Sequence, residues 1–113
     1  MTTVVEQRGF DYSLVDKVVE RIVEDFSPRK IIIFGSVARH EASSNSDIDI
    51  LVVMEPIRIG KYPPSTPIHH STKTAHVPKN IMVISPSEYE IERNDEGSFI
   101  SIIDETEYVA YEA

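Results

Sequence analysis

Lys30-Ile-Ile-Ile-Phe-Gly-Ser36 and, after ten intervening residues, Asp47-Ile-Asp-Ile-Leu-Val-Val-Met54 are the two stretches on which the reading of this chain turns. The first is a continuous β-branched and aromatic run closed by glycine, the pattern of a strand buried on both faces. The second opens with alternation, isoleucines at 48 and 50 against carboxylates at 47 and 49, and ends in a solid apolar run. Its start therefore has one accessible face and its end is buried. Because side chains alternate along a strand, Asp47 and Asp49 point to the same face, with Cα atoms about 7 Å apart.

Working outward, Leu14, Val15, Val18, Val19, Ile22, Val23 and Phe26 recur at three- and four-residue spacing, which predicts an amphipathic helix over 13–26. Ser13 is placed to cap it, with Asp16 three residues on, and Pro28 to stop it. Residues 36–41 suit a short helix and 42–46 a polar loop. Residues 55–79 carry five of the seven prolines and no helical or strand period, so no element is assigned there; such segments tend to be functional loops or disordered ones. A third strand over 80–85 follows. A helix then opens at Ser85-Pro86-Ser87-Glu88, with proline near its first turn. A short helix over 98–103 and a strand over 108–111 close the chain. This order gives an α/β (α+β) fold, a small mixed β-sheet of about four strands flanked by helices, in one domain over 1–113; the strand order is not readable.

Composition narrows the function classes. The chain has 113 residues, 41% of them hydrophobic, and a net charge of -8, which argues against strong nucleic-acid binding through phosphates. The charge is uneven: 3 basic and 6 acidic residues over 1–28, 7 and 4 over 29–79, and 1 and 9 over 80–113. A phosphate-bearing ligand is expected in the middle segment, which also holds all four histidines, and a solvated or partner-facing acidic surface in the last third. The absence of cysteine excludes disulfides, thiolate metal sites and thiol catalysis. No apolar run is long enough to cross a bilayer and no leader is evident, so a cytoplasmic location is expected.

Two carboxylates on one face are what Mg²⁺ needs when it is held by one or two carboxylates together with substrate phosphates. Gly35-Ser36, where a buried strand turns into a helix, lets backbone approach a ligand closely and directs N–H groups toward an anion. Arg39, about one helical turn beyond Ser36, can add positive charge to the same phosphates. If the two strands are neighbours, cradle and carboxylates lie together. Alone, each feature has a plain structural reading as a turn, a strand border or a surface arginine; their joint spacing is far more specific.

The wording GSVARHEASSNSDIDILVV closely resembles the signature of the DNA polymerase β-like nucleotidyltransferases, and the chain is similar in size to the minimal stand-alone branch (MNT). The likeness extends to the leading helix, the third strand with its Ser-Pro-Ser-Glu-Tyr continuation and, more softly, the closing GSFISIIDETEYVAYE. The resemblance implies Mg²⁺-dependent transfer of a nucleoside monophosphate, usually AMP from ATP, to an acceptor hydroxyl. Gly35 and Ser36 would bind the β- and γ-phosphates, and Asp47 and Asp49 would hold two Mg²⁺ ions. It also implies a helical HEPN-type protein as partner, with the pair acting as toxin and antitoxin.

The chain departs from the pattern in four places. Where the resemblance expects a third carboxylate that helps hold metal and takes the acceptor's proton, the chain has Asn80; an amide can offer a carbonyl oxygen but cannot accept that proton. No acidic residue lies between Glu55 and Glu88. Val37 stands where arginine is frequent, His40 where glycine often follows Arg39, and the proline-broken segment replaces the helix expected between the second and third strands. The alternative to a transferase is therefore a catalytically impaired nucleotide-binding subunit or antitoxin that acts by binding alone. His69, His70 and His76 lack a recognised metal spacing and read as loop residues; Tyr89, Tyr108 and Tyr111 read as packing residues.

Overall fold

The computed structural model of the chain describes residues 9–106 and 108–113. Helix α1 (Ser13–Phe26) leads into strand β1 (Lys30–Phe34), the short helix α2 (Gly35–Ala38) and strand β2 (Ile48–Val53). Helix α3 (Thr66–Ser71) and a 3₁₀ turn (Lys73–Ala75) precede strand β3 (Lys79–Ile84), helices α4 (Pro86–Arg93) and α5 (Phe99–Thr106), and strand β4 (Tyr108–Glu112). The strands form one sheet in the order β3-β2-β1-β4. Strand β1 is antiparallel to both its neighbours, whereas β2 and β3 run parallel, so the sheet is mixed, as expected.

Alternation sorts the sheet into two cores. Ile31, Ile33, Ile48, Ile50, Val52 and Ile81 face α1, where Val15, Val18 and Ile22 cover them. Ile32, Leu51 and Val53 face the other way, under Tyr89 of α4 and Ile100 and Ile103 of α5. Each fully buried isoleucine or valine contributes roughly 1.5–3 kcal/mol of transfer free energy, so these two layers hold the strands that carry the site. Beneath the second layer, Lys30 Nζ donates to the Tyr89 hydroxyl at 2.9 Å, tying the start of β1 to α4.

The structure corrects three expectations. Ser13 does not cap α1 with its side chain; Asp11 Oδ1 accepts from both Ser13 N, at 3.0 Å, and Ser13 Oγ. These bonds hold the Asp11 carboxyl below the usual carboxylate range. The segment expected to lack a helix contains α3 and the 3₁₀ turn, anchored by buried Ile68 against the first core, with Pro67 in the first turn of α3, where its missing N–H costs nothing. Tyr108 does not pack: its side chain is 53% exposed, whereas Tyr89 is buried and Tyr111 lies against the first core. Helix α4 opens where expected, and the structure adds its cap, Ser85 Oγ accepting from Glu88 N at 3.2 Å.

Candidate nucleotide and metal site

Antiparallel pairing brings the end of β1 to the start of β2, with Phe34 opposite Asp49, and parallel pairing sets Asn80 beside Asp49 on the other side. Three strands therefore deliver Gly35, Asp47, Asp49 and Asn80 to one end of the sheet. Asp49 is half-buried; Asp47 and Asn80 are exposed. Asp49 shares its sheet face with Phe34 and Leu51, opposite the face that Ile48 and Ile50 send into the first core.

Gly35 takes φ +77°, a left-handed conformation that favours glycine, and a Cβ there would collide with Asp49 Oδ2 and sit 3.1 Å from Asp49 Cγ. The turn and the carboxylate are in contact because no side chain intervenes. Ser36 is half-buried in the first turn of α2, and Val37 plugs the first core behind it. Arg39 Nε pairs with Glu41 Oε1 at 3.1 Å on the surface, both side chains more than half exposed. His40 adopts φ +59°, a left-handed conformation that favours glycine, and lies against Tyr12, ring centroids 5.0 Å apart.

Asn80 is placed differently from a plain substitute ligand. Its Nδ2 donates to Asp47 Oδ2 at 3.2 Å and to Asp49 Oδ1 at 2.9 Å, bridging the two carboxylates. Among the described residues no third His, Cys, Asp or Glu joins this pair. Neighbouring Lys79 alternates to the other face of β3, and its ammonium donates to Val77 O at 2.8 Å. The donor set suits a divalent cation: two carboxylates on one face, and an amide whose oxygen is a third hard ligand. Asp47, Asp49 and Asn80 are the residues that would hold it.

Clefts of about 290, 480 and 390 Å³ elsewhere on the surface are lined by other residues. The carboxylates instead stand at the open end of the sheet. On the same face lie half-exposed Met82 and Phe99, the latter edge-on to Phe34 with ring centroids 5.5 Å apart. His69 and His70 lie on α3, at the far side of the first core, and do not join the carboxylates. The sequence reading missed the direct contact of Gly35 with Asp49 and the bridging role of Asn80. The glycine after a buried strand was the signal for the first; nothing in the sequence signalled the second.

A comparison with curated proteins finds no match. Among solved structures, one of a Sulfolobus solfataricus protein provisionally assigned as a nucleotidyltransferase is 25% identical over 70% of each chain, with a TM-score of 0.47. The family model described as a nucleotidyltransferase domain matches residues 15–110. That span runs from the first helix into the last strand and takes in the glycine turn, both aspartates and Asn80, and the chain belongs to the nucleotidyltransferase domain family.

Proposed function

We propose that the chain binds a nucleoside triphosphate with Mg²⁺ between Gly35-Ser36 and the Asp47/Asp49 pair. It transfers the nucleoside monophosphate, AMP from ATP, to an acceptor hydroxyl carried by a helix-rich HEPN-type partner in the cytoplasm. Nucleotidyl transfer is the chemistry of its family. The observation that supports this site is the contact of Gly35 with Asp49: phosphates seated on the glycine turn lie against the carboxylates with no side chain between. Arg39 exchanges Glu41 for a phosphate oxygen at little cost, since an exposed ion pair is worth at most about 1 kcal/mol.

Mg²⁺, when bound, neutralises phosphate charge and polarises the phosphoryl oxygens. The acceptor oxygen bonds to the α-phosphorus as the bond from that phosphorus to the bridging oxygen breaks. Pyrophosphate leaves, and the hydroxyl proton passes to solvent, because the Asn80 amide has no place for it. The open setting of the carboxylates suits a macromolecular acceptor, and the 1 basic and 9 acidic residues over 80–113 suit a basic partner surface. That association weakens as salt rises.

One observation favours a second reading, nucleotide binding without turnover: the residue beside the aspartates is an amide that donates to them. A single experiment separates the readings. Purified chain is mixed with labelled ATP, Mg²⁺ and the co-purified partner, beside an Asp47→Ala/Asp49→Ala variant. Label on the partner with the natural chain only supports transfer; metal-dependent binding without label supports the second reading. Equal metal-dependent affinity in both proteins refutes the site.

A further inference from the structure

Asn80 and the two aspartates form a closed arrangement. Ionised carboxylates only accept hydrogen bonds, so an amide that faces both must present its nitrogen, as Asn80 Nδ2 does at 3.2 and 2.9 Å. The partial positive charge of that N–H₂ group offsets the repulsion between two like charges held on one strand face. The metal-free aspartate pair is thus held by hydrogen bonds, without a cation and without a third anionic group.

A carboxylate at the same position would do the opposite: three anionic groups would converge, and only cations could hold them together. We infer that Asn80 makes this a one-cation site, in place of the two ions that the family resemblance implies. The amide bridges the empty aspartate pair and offsets part of its repulsion, gives way to a single divalent cation that arrives with the nucleotide, and supplies no charge for a second. This rests on the nucleotide-binding reading above and adds to it the number of ions and the residue that sets that number. The geometry also accommodates an amide here: Asn80 is exposed, near the start of an edge strand, and among the described residues its side-chain bonds run to the two aspartates.

The test counts ions. Mn²⁺ is titrated into the whole chain with a non-hydrolysable ATP analogue, free Mn²⁺ being read by electron paramagnetic resonance, for the natural protein, Asn80→Asp and Asn80→Ala. The expected result is one Mn²⁺ per chain for the natural protein and Asn80→Ala, and two for Asn80→Asp. Melting curves give a second readout: Asn80→Asp melts lower in chelator and recovers with Mn²⁺, whereas the natural chain without nucleotide responds to neither. Two ions on the natural chain, or one on Asn80→Asp, overturn the inference and leave nucleotide binding intact. No Mn²⁺ on the natural chain even with the analogue overturns the nucleotide reading and this inference with it.

Discussion

Replacing Gly35 by alanine tests the joint between the phosphate turn and the carboxylates. Two costs add. A residue with a Cβ held at φ +77° pays about 1–2 kcal/mol for the left-handed conformation. The new methyl also collides with Asp49 Oδ2, so the carboxylate rotates away and the 2.9 Å bond from Asn80 is lost, about 0.5–1.5 kcal/mol at a half-exposed position. The expected loss is about 1.5–3.5 kcal/mol, or a fall in melting temperature of roughly 8–18 °C for a chain of this size. Urea denaturation reads it as a lower midpoint at unchanged slope, and metal-dependent nucleotide binding falls with it because Asp49 has moved. The clash is specific to Asp49, so in the Asp49→Ala background, where that bond is already gone, Gly35→Ala costs the backbone share alone. The two substitutions are then non-additive by at least about 0.5 kcal/mol. Strict additivity, or a Gly35→Ala protein as stable as the natural one, refutes the argument.

Asn80→Asp raises transfer to the true acceptor by about 10² to 10⁴ at saturating nucleotide and Mg²⁺, the usual worth of a general base; equal turnover in the two proteins shows that a third carboxylate is dispensable. Partial burial, and next the charge of Lys79, hold His69 below its ordinary value of 6.5. The unfolded chain therefore takes up this proton at higher pH than the folded one. The stability that neutral His69 provides is complete above about pH 6.5 and is lost as pH falls toward the depressed value; urea midpoints between pH 8 and 5 show a shallower decline for His69→Gln, and identical profiles contradict the assignment.

How much of this was legible beforehand depended on how far each feature is local. The helix over 13–26 and the strands beginning at 30 and 48 were readable because burial imposes a period on the residues themselves: Val15, Val18 and Ile22 line one side of α1, and Asp49 alternates with Ile48 and Ile50. Helix α3 escaped because it is short, has one buried anchor, Ile68, and starts among prolines that a period search counts as breaks. Pro67 is harmless there only because it falls in the first turn. The cap expected from Ser13 is absent because Asp11 Oδ1 engages both the backbone N–H and the hydroxyl of Ser13. The aspartate pair was legible as a pair, but the bond from Asn80 joins residues 31 apart in sequence, and nothing short of the β2–β3 register could have revealed it.

The pairing of β1 has a consequence for how the chain acquires its shape during synthesis. Strand β1 finds one neighbour, β2, close by in sequence, but the other, β4, lies at the far end, with Lys30 opposite Glu112 and Ile33 opposite Tyr108. A contact so distant must close a long loop before it gains anything, and such contacts form late. Everything attributed above to the site lies between Gly35 and Asn80, on strands that pair among themselves without β4. On a ribosome, the glycine turn and the aspartates can therefore come together while the last strand is still in the exit tunnel and the free edge of β1 is open. Emergence of residues 108–112 then covers that edge, so the last strand to pair acts on the solubility of the nascent chain more than on the formation of its site.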